Sequence, residues 1–190
     1  MTILDGLAKV RPLAQDEETV NVLVETPTGS RDKFDLDHET GLFEWSMQLP
    51  AGLSFPFAFG FVPGTLAEDG DPLDIVLLVE GVFPQGVMVP TRLIGVLRAR
   101  QDENDDGEVD TLNHRVLAVP TLANSFGNVS DVSDLREGYY DELVAFFEQY
   151  NRLIGRTFEA GEPGDRDTAY HMLRDAIQTH DARAKERPKE

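Results

Sequence analysis

Residues 59–78 read Phe59-Gly60-Phe61-Val62-Pro63-Gly64-Thr65-Leu66-Ala67-Glu68-Asp69-Gly70-Asp71-Pro72-Leu73-Asp74-Ile75-Val76-Leu77-Leu78. Three carboxylates, Asp69, Asp71 and Asp74, fall within six positions of this run. Like charges at that density repel. A hard divalent cation relieves the repulsion, and carboxylate oxygens are the ligands that Mg²⁺ and Mn²⁺ prefer. Gly70 permits a tight turn and Pro72 stiffens it by fixing φ. The apolar stretch from Ile75 to Val79 reads as a buried strand, so the cluster lies at a loop-to-strand junction where a scaffold can hold charges still. A solvated acidic turn is the alternative reading of the same residues.

Outward from this run the chain is rich in short strands. Val20 to Val24 is β-rich. Lys33 to Asp37 and Leu42 to Trp45 flank the turn His38-Glu39-Thr40-Gly41 and make a hairpin. Ile75 to Glu80, Thr91 to Arg98 and Arg115 to Val119 are further strands, with an acidic excursion from Asp102 to Asn113 between the last two. Ser133 is placed to cap a helix from Leu135 to about Leu153, with Tyr139, Leu143, Phe146, Phe147 and Tyr150 along one side. Gly161-Glu162-Pro163-Gly164 breaks the chain before a final helix from about Arg166 to Arg183. The expected organisation is an arm over residues 1–18, a barrel domain over 19–158, and a linker and C-terminal helix over 159–190 on the same domain. Many short strands followed by helices suggest an α+β chain, mainly β, built as a closed β-barrel with peripheral helices.

Composition narrows the partners. With 190 residues the chain suffices for one domain with a substantial core. It has no Cys, hence no disulfide framework and no thiolate chemistry. No apolar run approaches a membrane span, and the N-terminus lacks the blocks of a signal peptide, so a cytoplasmic address is the default. The net charge of −18 repels nucleic acid and anionic membranes and attracts divalent cations. It also opposes an anionic substrate unless metals or basic residues reverse the local field. Lysine occurs only at Lys9, Lys33, Lys185 and Lys189, which leaves Lys33 alone within the expected barrel.

The string Phe59 to Pro63 followed by Asp69-Gly70-Asp71-Pro72-Leu73-Asp74 closely resembles the defining segment of the family I soluble inorganic pyrophosphatases. Glu25-Thr26-Pro27-Thr28-Gly29-Ser30, Lys33-Phe34-Asp35-Leu36-Asp37 and Thr40-Gly41 look like that family's first hairpin region. Gly95-Val96-Leu97 and Val116 to Pro120 look like its later strands, and Phe146-Phe147-Glu148-Gln149-Tyr150 like its helix. The likeness spans roughly residues 20–158 in the family's order. It implies a five-stranded closed barrel of OB type with peripheral helices, a homo-oligomer, and Mg²⁺-dependent hydrolysis of pyrophosphate, with Mn²⁺ as a second metal. Such chemistry needs metal ions to neutralise phosphate oxygens and activate water, and cationic donors for the phosphates. By the resemblance, Asp69, Asp71, Asp74 and Asp102 hold metal and Glu25 orients water on it. Asp71 takes the proton of the attacking water, and Lys33, Arg115 and Tyr150 contact phosphate.

Departures from the family pattern cluster on the phosphate side. Asp35 replaces a Glu, Met47 an Arg, Phe55 and Phe59 two tyrosines, Asn113 an Asp, Arg115 a Lys and Asn151 a Lys. A charge-assisted hydrogen bond contributes about 1.5–3 kcal/mol, so two lost cations weaken phosphate binding by roughly 3–6 kcal/mol unless something compensates. Arg31 and Arg152 are the candidates for that role. Phe55, Phe57, Phe59 and Phe61 alternate as strand residues do, with one face in the core and the other open to the site. An apolar patch there would suit an organic diphosphate, the alternative substrate class; a barrel that binds metal without catalysis is the non-enzymatic alternative. Asp102-Glu103-Asn104-Asp105-Asp106-Gly107 matches the first half of a calcium loop, yet the twelfth position is Asn113 and strands flank it, against an EF-hand. His38, His114, His171 and His180 show no ligand spacing, and only His114 lies beside the expected site.

Overall fold

The computed structural model describes residues 6–7, 9–101 and 111–186. Among the described residues ten strands are present: β1 (Val20–Thr26), β2 (Asp32–Leu36), β3 (Phe43–Gln48), β4 (Ala58–Phe61), β5 (Asp74–Leu77), β6 (Met88–Leu97), β7 (Ala99–Gln101), β8 (Thr111–Leu112), β9 (Arg115–Pro120) and β10 (Phe158–Ala160). Two long helices follow the main strands, α1 (Tyr139–Leu153) and α2 (Arg166–Glu186). Strands β1, β4, β5, β9 and β6 close into a barrel in that order, with β5 and β9 parallel and the other pairs antiparallel. The hairpin β2–β3 stands outside the barrel, and β7 pairs with both β8 and β10.

The barrel strands are near-continuous apolar runs because both of their faces are covered. Successive residues go to two different cores. Ile75, Leu77, Val116 and Ala118 join Val20, Val22 and Val24 in a cluster completed by Ala169, Tyr170, Leu173 and Ala176 of α2. Val76, Leu78, Leu117 and Val119 join Phe55, Phe57 and Phe59 in a second cluster completed by Leu143 and Phe147 of α1. The two helices thus hold opposite sides of one wall, and the strand ends between them are left for polar groups.

Helix α1 begins later than its pattern suggests. Asp131, not Ser133, is the capping residue, and it caps a separate 3₁₀ turn over Val132–Asp134. Its Oδ1 accepts from the Ser133 backbone N–H at 3.0 Å, and Asp134 Oδ2 accepts in return from the Asp131 N–H at 3.0 Å. Gly138, in the left-handed region at φ 77°, then starts the α-helix. The strand β10 has no counterpart in the sequence reading. Its three residues are too few to show a period.

Candidate active site

Irregularities in the ladders aim the polar side chains. In the β1–β4 pair Val24 faces Gly60 and Thr26 faces Phe59, so Glu25 is the extra, bulged residue. A bulge of this kind redirects a side chain that regular pairing would send elsewhere. Glu25 is 9 % exposed, and its Oε1 accepts from the Leu36 N–H at 2.8 Å. A second irregularity sets Lys33 opposite Met47 in the hairpin. Lys33 Nζ donates to Asp35 Oδ1 at 2.6 Å, two residues along the same strand face.

The acidic turn is closed by its own backbone. The Ala67 N–H donates to the Asp71 carbonyl at 2.7 Å and the Gly70 N–H to the Ala67 carbonyl at 3.1 Å. Asp69 Oδ1 accepts from the Asp71 N–H at 3.1 Å. Gly70 takes φ 93°, which L side chains rarely adopt. Thr65 anchors the turn below: its Oγ1 donates to the Val62 carbonyl at 2.6 Å and accepts from the Leu73 N–H at 2.9 Å. Asp74 then opens β5. Its neighbour across the parallel pair is the first residue of β9, Arg115, because Ile75 is in register with Val116. Parallel strands start at the same end, so the carboxylate and the guanidinium emerge side by side.

Electrostatics tie these groups into one site. Burial pushes the Glu25 carboxyl up to about 8, and the nearby charges of Asp35 and Asp74 add to the rise while the Leu36 N–H and Lys33 oppose it. Water reaches Asp74, yet protein atoms crowd it, and that desolvation raises its carboxyl against the pull of Arg115 and Lys33; Asp69 and Asp35 add to the rise. Burial also holds the Tyr150 phenol above its usual range, against the charges of Lys33, Arg115 and Arg156. Glu25, Lys33, Asp35, Asp69, Asp74, Arg115 and Tyr150 therefore share one electrostatic neighbourhood.

Negative charge is in excess there, and two carboxylates are held above their ordinary range, by burial first and by neighbouring carboxylates second. That charge excess, with donors that are all hard oxygens, fits a divalent cation. Among the described residues no three His, Asp or Glu side chains stand close enough to enclose an ion. This donor set suits an ion such as Mg²⁺, which keeps several waters and shares its sphere with phosphate. Asp71 lies on the same turn. With Gly70 and Pro72 it lines a cavity of about 1350 Å³ between the turn, Leu7 and residues 10–15 near the N-terminus, and the end of α2. Asp102 lies outside the described residues, as does the rest of the excursion from 103 to 110.

The phosphate side differs from its expectation. Phe55 and Phe59 do not line an open pocket. They are 1 % and 8 % exposed and pack with Phe57, Phe146 and Phe147 edge-on or tilted, at centroid distances of 5.1–6.0 Å. Residues 55, 57 and 59 share one face, as a period of two requires, and that face meets α1 rather than solvent. Phe61 goes to a separate small core with Leu23 and Leu36. The Arg115 guanidinium rests 4.6 Å above the Phe147 ring, and its Nη1 donates to the Asn113 carbonyl at 3.1 Å. The Tyr150 hydroxyl donates to Met47 Sδ at 3.3 Å. Asn151 is 1 % exposed, with its Nδ2 donating to the Phe147 carbonyl at 2.8 Å inside the helix. Arg152 points elsewhere, its Nη2 donating to Gln149 Oε1 at 2.6 Å on the exposed side. His114 is engaged too, its Nδ1 accepting from the Ala99 N–H at 3.2 Å.

Three residues of this neighbourhood are absent from the sequence reading in any site role: Arg156, Phe147 and Phe158. The two rings stack on each other at 5.3 Å beneath Arg115. An apolar helix face announces Phe147 as core, but nothing in the linear pattern sets a cation on it.

Comparison with known proteins gives a consistent result. Residues 22–181 match the family model for inorganic pyrophosphatase. An inorganic pyrophosphatase of Sulfolobus acidocaldarius is 36 % identical over 147 residues, covering 76 % of this chain and 81 % of that protein. One from Corynebacterium efficiens is 36 % identical over 166 residues, covering 86 % and 99 %. The crystal structure of the Thermus thermophilus inorganic pyrophosphatase superposes with a TM-score of 0.82 at 29 % identity, over 92 % of this chain and 98 % of that one.

Proposed function

This chain belongs to the inorganic pyrophosphatase family, and from that premise we propose that it hydrolyses pyrophosphate to two phosphates with Mg²⁺, or Mn²⁺ in its place. The observation that carries the reading is the shared neighbourhood of Glu25, Asp69 and Asp74 with Lys33, Arg115 and Tyr150 at one end of the barrel. Carboxylates alone would repel the substrate, and cations alone would not activate water.

In this reading Glu25, Asp69, Asp71 and Asp74 are the residues that would hold metal. Bound divalent ions supply positive charge against the phosphate oxygens and lower the pKa of water. Asp71 takes the proton of the attacking water, whose oxygen forms a bond to one phosphorus. The bridging P–O bond breaks, and the leaving phosphate keeps its electron pair. Lys33, Arg115 and the Tyr150 hydroxyl donate to phosphate oxygens as that charge builds. Asp35 keeps Lys33 Nζ in position until the substrate competes for it. Burial of Phe147 under the guanidinium steadies Arg115, whose planar fork can bind two oxygens at once.

The organic-diphosphate alternative relied on an open apolar patch at Phe55 and Phe59, and both rings are buried. The same proposal carries a cytoplasmic homo-oligomer with pyrophosphate as its small-molecule partner. It involves neither nucleic acid nor a membrane, as the net charge of −18 favours. Among the described residues no helix is long and apolar enough to cross a membrane. Phosphate release from pyrophosphate, measured with each metal in turn, is the test. Turnover that requires a divalent ion is expected; no release with either metal would end the proposal.

A further inference from the structure

We propose that Arg156 is a phosphate-binding residue of this site and stands in for the cations missing at Met47 and Asn151. The inference rests on the pyrophosphatase reading above and adds a residue to its substrate grip. Helix α1 ends at Leu153, and Gly155 at φ 82° turns the chain back. The Arg156 N–H donates to the Asn151 carbonyl at 2.9 Å, which brings Arg156 beside the last turn of the helix. There its charge acts on the Tyr150 phenol together with those of Lys33 and Arg115.

Of the three cations whose charge reaches the Tyr150 hydroxyl, Lys33 is paired with Asp35 and Arg115 stands beside Asp74, which leaves Arg156 for an incoming anion. Arg156 is exposed, and the ion pairs among the described residues, Lys33–Asp35, Arg136–Glu142 and two histidine–aspartate contacts, do not include it. The Tyr150 hydroxyl currently donates to a thioether, a weak acceptor. A phosphate oxygen is a better partner for it and for Arg156 together. Asn151 cannot serve, because it is buried and its Nδ2 donates to the Phe147 carbonyl within the helix. Arg152, although nearer in sequence, is turned away by about 100° per residue and held by Gln149.

The test is calorimetric titration of methylenediphosphonate, which cannot be hydrolysed, with Mg²⁺ present, on wild type, Arg156→Ala, Arg156→Lys and Arg152→Ala. A solvent-exposed charge-assisted contact makes the expected loss about 3- to 10-fold in affinity for Arg156→Ala, with Arg156→Lys retaining most of it. Arg152→Ala should match wild type, and in turnover Arg156→Ala should raise KM more than it lowers kcat. Equal affinity of wild type and Arg156→Ala overturns the inference, as does an equal loss in Arg152→Ala, which would mark a general charge effect. A wild type that binds no analogue overturns it as well. Failure of wild type to release phosphate from pyrophosphate would sink the underlying reading instead, while analogue binding still decides the role of Arg156.

Discussion

The two halves of the site are built on opposite physical terms. On the carboxylate side, Glu25, Asp69 and Asp74 crowd one strand end, and burial with mutual repulsion raises Glu25 and Asp74 above their ordinary range. On the phosphate side, positions that carry cations and hydroxyls in the family are occupied by Met47, Phe55, Phe59 and Asn151, and the last three are buried in packed structure. The first half holds electrostatic tension that a proton or a cation relieves. The second is packed as core and leaves no open pocket at Phe55 and Phe59. In the proposed reading the grip on phosphate falls to Lys33, Arg115 and Arg156.

Four measurements test this contrast. The largest effect is expected from Asp71→Asn, which removes a proton acceptor while keeping the side chain's shape. General-base groups contribute about 10²- to 10⁴-fold, so turnover should fall by that order with the circular dichroism spectrum unchanged. Turnover at the wild-type rate would show that the turn facing the 1350 Å³ cavity is structural.

Next comes Phe147→Ala. The ring is 1 % exposed, stacks on Phe57 and Phe158 and carries the Arg115 guanidinium. Deleting a buried Phe side chain costs about 3–5 kcal/mol, readable as a lower denaturation midpoint. A loss below about 1 kcal/mol would mean that the aromatic half is not the packed core described here.

Restoring a donor is the converse experiment. Met47→Arg should release the Tyr150 hydroxyl from the sulfur and add a cation opposite Lys33. One added charge-assisted contact predicts a KM for pyrophosphate lower by about 10-fold. An unchanged or higher KM would show that Met47 is a packing position with no view of the substrate.

The smallest effect is a pH dependence. Glu25 has a folded value of about 8 against an ordinary 4.5, so the folded state holds its proton more tightly than the unfolded chain. The stabilisation is complete below the ordinary value and disappears as pH rises through the folded one. Metal-free wild type should therefore lose melting temperature relative to Glu25→Gln between about pH 5 and pH 8. Added Mg²⁺ favours the charged carboxylate, so its stabilising effect should grow over the same interval. Parallel pH profiles for the two proteins would remove Glu25 from the charge cluster.

Much of this molecule can be read along the chain. Near-continuous apolar runs announce β1, β5, β6 and β9, and the spacing of Asp69, Asp71 and Asp74 announces a cation-seeking turn. The start of α1 is not legible, because Ser133 offers a cap, whereas Asp131 caps a separate 3₁₀ turn and the α-helix begins only after the left-handed Gly138. The roles of Arg152 and Arg156 are illegible for a related reason. Linear distance from Asn151 favours Arg152, whereas the left-handed Gly155 brings Arg156 back beside the last turn of α1.

By itself the amino-acid order determined which residues seek water, metal or core, since those preferences belong to side-chain chemistry and to a period of two or of 3.6. The tertiary structure alone decided direction. Whether Phe55 and Phe59 open a pocket or close a core, and which arginine folds back along α1, depends on bulges, helix phase and a single positive-φ glycine. Each of these turns a side chain by a large angle at little cost in local free energy, so no local preference records the choice.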